Sequence, residues 1–263
     1  MGRLQLTVVT PVLDGERTIQ RCIDSVRSLK ERFGVEHIIV DGGSTDSTLA
    51  HVRDANAHID AVIDDQRRGI SAAMNLGIEH ANGHFICILN SDDFMIPEGA
   101  ARILESASLL ADGGPEILLG DVLLVEPRRG NIERRVANLG NMSKFMSVYH
   151  PAMWVAKKVY ARLGGYAESY SYAMDCEFVH RALAAEVRFH HVADTLAGMC
   201  LGGISHRHLG RAMAEFRRSV VYHQLSRRHV AYCYQMRQSM IHFVLRNRVV
   251  RDFYLRHRHK HSG

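Results

Sequence analysis

Apolar runs alternate with helical apolar spacing through the first hundred residues of the chain. Leu4 to Val9 is a β-favouring run stopped at Thr10-Pro11-Val12, where proline fixes the turn. From Gly15 the apolar positions Ile19, Ile23, Val26 and Leu29 recur at helical spacing, which predicts an amphipathic helix to about Leu29. Glu36 to Val40 reads as a second strand ending in Asp41-Gly42-Gly43-Ser44-Thr45-Asp46, whose glycines permit positive φ. Ser44 or Asp46 can then cap a helix carrying Leu49 and Val52. Ala61-Val62-Ile63 is a short third strand ending in Asp64-Asp65. A helix follows from about Ile70 to Ala81, closed by Gly83. The fourth strand, Phe85 to Leu89, is apolar throughout, as a strand buried on both faces should be.

This alternation predicts parallel pairing with right-handed crossovers, so the strand ends share one edge. Thr10, Asp41, Asp65 and Asp93 are thereby directed to a single crevice, where ligands of open α/β sheets bind. The fourth strand ends in Asn90-Ser91-Asp92-Asp93. Carboxylate oxygens completed by phosphate oxygens suit Mg²⁺ or Mn²⁺, so Asp92 and Asp93 suggest a metal–diphosphate site. The same acids can instead cap a helix beginning near Pro97. A Gly-x-Gly-x-x-Gly turn after the first strand and a Gly-Lys-Ser/Thr loop are both missing, so metal and side chains would have to neutralise phosphate.

Further along, Glu116 to Val125 and Asn131 to Val136 can pair across Pro127-Arg128-Arg129-Gly130 and cover the crevice. Val155 to Leu163 reads as a short helix stopped by Gly164-Gly165. Another helix spans Met174 to Ala184 and carries Asp175 in its first turn. The helix dipole there favours the carboxylate, whereas burial in a cleft would oppose it. Taken alone, Asp175 is a cap or a solvated charge. His150 either contacts a ligand or hydrogen-bonds a loop, and Trp154 is either a sugar platform or core.

Charge separates the chain into two parts. From Arg207 onward thirteen Lys and Arg face two acids, while the remaining residues carry 20 basic and 26 acidic side chains. The basic extension, 207–263, has broadly helical apolar spacing, so one face can be apolar and another cationic. Such helices bind anionic membrane surfaces. The apolar face can equally pack on the body or on a second subunit, which admits a homodimer. No reader motif for nucleic acid accompanies the charge, so no nucleic acid partner is expected. Five scattered cysteines without a Cys-x-x-Cys pair read as free thiols of a reducing compartment. No apolar run of about 18 residues predicts a membrane span, and no signal peptide is apparent at the N-terminus, so the expected location is cytoplasmic, peripheral to the inner face of the membrane.

Eight motifs in order resemble glycosyltransferase family 2. They are Thr10-Pro11-Val12, Val40 to Thr48, Gly69 to Gly77, Asn90 to Asp93, His150-Pro151-Ala152, Leu163 to Tyr166, Tyr172 to Glu177 and Gly202 to Ser205. The resemblance covers roughly residues 4 to 206. It implies an inverting enzyme of the GT-A fold, a Rossmann-like, mostly parallel sheet flanked by helices. The nucleotide-binding half would be about 1–110, the acceptor half about 111–206, and 207–263 a helical basic extension.

The resemblance also assigns roles. Asp41 would meet the uracil or other base. Thr10, Pro11 and Val12 would line the base and ribose pocket, and Asp65 with Arg68 would border the nucleotide. Asp92 and Asp93 form the metal motif for Mn²⁺ or Mg²⁺, with Asp93 the direct ligand and Asp92 also beside the nucleotide. Asp175 matches the general base, and His150, Trp154, Gly203 and Ser205 fall on the acceptor side. The implied reaction moves a sugar from a nucleotide-diphosphate sugar, more often UDP-linked, to a saccharide or lipid-linked acceptor in polysaccharide or glycolipid synthesis. Two positions depart from the family pattern: Asn90 replaces the first metal-motif acid, and Arg67 changes the charge beside the nucleotide. A sugar-1-phosphate nucleotidyltransferase would share the α/β architecture and the metal, but Thr10 to Gly15 lacks its glycine-rich basic turn. A non-catalytic membrane-associated scaffold fits if Asp175 faces solvent.

Overall fold

The computed structural model describes residues 5–66, 68–106, 114–126 and 130–226. Leu4, Arg67, the Pro127 to Arg129 part of the predicted turn, and 227–263 of the basic extension lie outside the described residues. The first half alternates as its sequence requires. Strand β1 (Leu6–Val12) leads to α1 (Ile19–Phe33), β2 (Glu36–Asp41) to α2 (Thr48–Asp54), β3 (Ala61–Asp64) to α3 (Ile70–His80), and β4 (Phe85–Ile88) follows. The four strands are parallel in the order β3-β2-β1-β4.

Several boundaries differ from those read in the sequence, each for a local reason. Strand β1 runs through Pro11 to Val12, because β4 pairs with it only as far as Val9. The missing N–H of Pro11 therefore leaves no ladder bond open. Ser47 is the N-cap of α2 and Asp46 before it accepts the N–H of Thr48 at 2.9 Å, while the Ser44 hydroxyl accepts from the N–H of Asp14. Gly83 lies beyond the end of α3, pressed onto β1: a Cβ there would come within 2.4 Å of the Thr7 nitrogen. Gly77 brings α3 onto the sheet, since its Cβ would meet Val9 Cγ1 at 2.2 Å.

The second half completes one mixed sheet. It contains β5 (Phe94–Met95), α4 (Pro97–Leu104), β6 (Ile117–Glu126), β7 (Asn131–Arg135), β8 (Met153–Ala156), α5 (Lys157–Leu163), α6 (Met174–Ala184), β9 (Phe189–Cys200), α7 (Ile204–Arg207) and α8 (Leu209–Tyr222). The strand order is β3-β2-β1-β4-β8-β6-β9-β5, with β7 on β6. Strand β8 is antiparallel to β4 and to β6, whereas β9 runs parallel to β6. The predicted β6–β7 pairing is present. Strand β5 intervenes between Asp93 and α4, whose N-cap is Ile96, so neither acid caps that helix.

Helix α8 packs against α6, so the first helix of the basic extension is part of the body. Ser219 and Val220 are fully buried there, and the Ser219 hydroxyl meets His180 Nδ1 at 2.8 Å. No helix among the described residues is long and apolar enough to cross a membrane. Cys22, Cys87 and Cys176 are buried free thiols and Cys200 a half-buried one, while Cys233 lies outside the described residues.

Two buried histidines give the fold an acid liability. Burial pushes His37 down to about 3, with Lys30 adding to the shift and Asp60 opposing it. Burial likewise pushes His180 down to about 4, against the Met142 carbonyl that accepts its Nε2–H. Both are neutral when folded and bind a proton when unfolded, so stability present above about pH 6.5 is lost as pH falls toward these values. Relative to wild type, the urea midpoint of His37→Gln should rise as pH is lowered from 7 to 5, because the variant has no His37 proton to lose on folding. The same pH dependence in both proteins would remove His37 as a cause.

Candidate active site

The site lies along the C-terminal edge of the parallel strands, where backbone turns hold carboxylates in place. At the end of β2, Asp41 turns back on its own loop. Its Oδ2 accepts the N–H groups of Gly43 and Ser44, both at 3.0 Å, and Gly43 needs φ of 83° to present its N–H. The other oxygen, Oδ1, is buried and has no partner among the described residues. A lone buried acceptor of this kind calls for a donor from a ligand. A cavity of about 400 Å³ opens beside it, lined also by Gly43, Ser44, Leu49, Val62 and Asp64. Asp65 is buried next to it, its N–H donated to the Asp41 carbonyl at 3.0 Å, and Arg68 is exposed, folding its Nε–H back to the Asp65 carbonyl.

Beyond β4, the chain turns sharply, with the Asp93 N–H donated to the Asn90 carbonyl at 2.9 Å. Asp93 is 2% exposed. Its Oδ1 accepts the N–H of Cys200, the last residue of β9, at 2.8 Å. Burial, and then the charge of Asp92, push its carboxyl up to about 7. Asp92 is half-buried and faces Gly203, where a Cβ would stand 3.5 Å from Asp92 Oδ2. Arg21 reaches over from α1 to donate to the Asp92 carbonyl at 2.6 Å, and lies 3.1 Å from Cys200 Sγ.

His150 joins this carboxylate to a second one. Its Nδ1 lies 3.3 Å from Asp175 Oδ2, and its Nε2 lies 3.8 Å from Asp93 Oδ2. Burial works against the imidazolium, but the hydrogen bond and charge of Asp175, with the charges of Asp93 and Asp92, outweigh it and raise its pKa. Asp175 is 9% exposed, and its Oδ1 accepts the N–H of Cys176 at 2.8 Å in the first turn of α6. A solvent-facing Asp175, the condition for a non-catalytic scaffold, is therefore not what the fold presents.

Other expected site residues stand elsewhere. Thr10 is fully buried, its hydroxyl 3.0 Å from His37 Nε2, so its side chain belongs to the core and only its backbone can reach a pocket. Trp154 is fully buried in β8 between β4 and β6, which leaves no ring face for a sugar. Pro11 and Val12 are buried at the strand end. Gly203 flanks Asp92, and the Ser205 hydroxyl donates to the Tyr172 carbonyl at 3.0 Å. Arg21 and Cys200 were not legible as site residues, because neither sits in a motif and each reaches the site through another element.

Two of the motifs meet each other. Asn75 of α3 donates its amide to the Tyr166 carbonyl at 2.9 Å and accepts the Tyr166 N–H at 2.7 Å. Ser71 donates to the Tyr170 carbonyl at 3.1 Å. Gly165 permits this approach, since a Cβ there would lie 2.1 Å from Asn75 Oδ1. These residues fasten α3 to the loop that leads to Asp175.

Known proteins resemble this chain in sequence and in fold. The family model described as Glycosyl transferase family 2 matches residues 7–149. An uncharacterized glycosyltransferase of Mycobacterium tuberculosis is 31% identical over 188 residues, covering 67% of each chain. A PGL/p-HBAD biosynthesis glycosyltransferase of Mycobacterium bovis is 26% identical over 201 residues, covering 73% of this chain and 76% of its own. Among solved structures, TarS of S. aureus in complex with UDP-GlcNAc superposes with a TM-score of 0.64 at 18% identity, covering 85% of this chain and 67% of that one. The mannosyltransferase PcManGT of Pyrobaculum calidifontis, in complex with GDP-Man and Mn²⁺, gives 0.62 at 16% identity, covering 96% and 84%.

Proposed function

This chain belongs to glycosyl transferase family 2, and from that membership we propose an inverting transfer of a sugar from a nucleotide-diphosphate sugar, preferentially UDP-linked, to a saccharide or lipid-linked hydroxyl. The observation that carries this reading is the His150 bridge, which sets Asp175 beside the Asp92–Asp93 turn. A proton acceptor and a phosphate-facing acidic turn are the two groups that in-line displacement at an anomeric carbon needs.

In this reading the nucleotide base donates to the unpartnered Oδ1 of Asp41, with the backbone of Thr10, Pro11 and Val12 and the residues Asp65 and Arg68 around it. The acceptor enters beside His150, Gly203 and Ser205. Asp175 takes the proton of the acceptor hydroxyl as that oxygen bonds to the anomeric carbon. The bond from that carbon to the diphosphate oxygen breaks, and the nucleoside diphosphate leaves with the electron pair.

The residues present fit Mn²⁺ or Mg²⁺. Asp93 is a buried carboxylate with a raised pKa, Asp92 is adjacent, and the Oδ1 of Asn90 is buried without a partner among the described residues. Among those residues, no cluster of three or more His, Cys, Asp and Glu closes a cage, so a cation would share its coordination with phosphate oxygens. Asp93 and Asp92 would hold it, and its chemistry there is to neutralise charge on the leaving diphosphate.

The same proposal places the enzyme in polysaccharide or glycolipid synthesis, cytoplasmic and peripheral to the membrane, with the basic extension on anionic lipid or on a second copy. The donors named for the structural relatives, UDP-GlcNAc and GDP-Man, set the panel to test. Thermal unfolding with UDP, GDP, dTDP and their sugars, each with and without Mn²⁺, is the measurement. A ligand at about 100 times its dissociation constant adds roughly 2.7 kcal/mol, a shift of several degrees. One nucleotide class should stabilise the protein in a Mn²⁺-dependent way; no shift from any of them overturns the reading.

A further inference from the structure

Helix α6 carries Asp175 in its first turn, and its N-cap, Ala173, has no side chain able to cap it. The backbone N–H groups that enter the helix converge on one carboxylate from a distant segment. Glu215, on α8, accepts the N–H of Ser171 at 3.0 Å on Oε1 and 3.1 Å on Oε2, of Tyr172 at 2.8 Å and of Ala173 at 2.9 Å. Charge-assisted bonds of this kind are stronger than neutral ones, and a carboxylate at a helix N-terminus is favoured by the dipole.

The anchor is itself held. Arg218 donates to the Ser169 carbonyl at 2.8 Å and lies over the Tyr170 ring at 4.0 Å, while His223 Nε2 meets Glu177 Oε1 at 3.0 Å. Together with the pairing of Ser219 and His180, these contacts hold the stretch of α8 that follows Glu215 against α6 and the loop before it. Only Met174 separates the clamped Ala173 from Asp175, so the clamp sets where the first turn of α6 points.

We propose that Glu215 is a positioning residue of the transfer reaction, its carboxylate holding the entry to α6 so that Asp175 meets His150 and the acceptor oxygen. This rests on Asp175 being the base. Glu215 bonds to the backbone of 171–173 and is not among the residues that line the cavity beside Asp41, so its effect belongs to the chemical step and not to donor affinity.

The test uses the full chain with whichever of UDP-GlcNAc or GDP-Man stabilises it, and reads nucleotide release, donor affinity by calorimetry and hydrogen exchange at 171–176. Misplacing a reacting group by an ångström costs about 100-fold. Glu215→Ala should therefore lower kcat by roughly 10- to 100-fold with unchanged donor affinity, and speed exchange at 171–176. Glu215→Gln, which keeps one oxygen acceptor, should recover much of the rate. If Glu215→Ala does not fold, Glu215→Gln carries the measurement, with a smaller fall in kcat expected.

The double variant Asp175→Asn, Glu215→Ala should be no slower than Asp175→Asn alone, because both changes remove the same step. A folded Glu215 variant with the wild-type rate, beside an inactive Asp175→Asn, overturns the positioning role. A double variant slower by the product of the two single effects also overturns it. If Asp175→Asn keeps the wild-type rate, the base assignment itself has failed and the Glu215 proposal falls with it.

Discussion

Asp175→Asn should lower the rate of sugar transfer by about 10²- to 10⁴-fold while nucleotide affinity stays unchanged, the range a positioned general base contributes. The substitution isolates proton acceptance. Asparagine has the same size and retains an oxygen for the Cys176 N–H that Asp175 Oδ1 now accepts. Placement of the first turn of α6 is therefore preserved, held as well by the Glu215 clamp. Asp41, with its unpartnered oxygen, is at the end of a different strand and is untouched. The measurement is kcat for transfer, or for nucleotide release to water, beside calorimetric affinity for the stabilising nucleotide. A rate within twofold of wild type would remove Asp175 from the role.

Asp93→Asn should abolish the Mn²⁺ dependence of nucleotide binding and lower transfer by about 10²- to 10³-fold, matching several kcal/mol of transition-state charge stabilisation. It should also stabilise the metal-free protein. The Asp93 carboxyl is pushed up to about 7, first by burial and then by Asp92. An acid whose pKa is higher folded than unfolded contributes stability below its unfolded value of about 4 that is lost as pH rises through about 7. At pH 8 the metal-free protein thus carries an unfavourable buried charge, which asparagine removes. The two readouts move in opposite directions: the melting temperature without metal rises, and the shift given by Mn²⁺ with nucleotide vanishes. A variant that keeps the Mn²⁺-dependent shift would remove Asp93 as the ligand.

The first half of the fold was legible because three of its four strands are apolar runs cut off by an acid. That pattern alone directs Asp41 and Asp93 to one edge. Side-chain direction was less legible. Thr10 and Trp154 lie in strands covered on both faces, where period-2 alternation has no polar side to mark the surface. Strand β9 gave little signal, since Phe189–Cys200 mixes His190, His191, Asp194 and Gly198, and its register on β6 shifts around Asp121. Without that strand, the Cys200 N–H that orients Asp93 could not be foreseen.

Glu215 was hidden differently. On a helix rich in arginine one acid reads as part of a solvated face, and the charge balance drew a boundary at 207 that the packing of Ser219 and Val220 crosses. His150 and Asp175 were identified by resemblance alone, for the sequence does not reveal that one imidazole bonds to Asp175 and faces Asp93 at 3.8 Å.

The pairing of β6 with β9 bears on how the chain is made. Ile117 to Val125 pairs with Phe189 to Cys200, and Asp93 receives its backbone donor only from the far end of that later strand. As the chain leaves the ribosome, the four parallel strands with Asp41 can close first, since all their pairings lie within the first ninety residues. The acidic turn must wait for another hundred residues, several seconds or more at about 5–20 residues per second. A nascent chain would thus have the edge that carries Asp41 formed well before the Asp92–Asp93 turn is oriented.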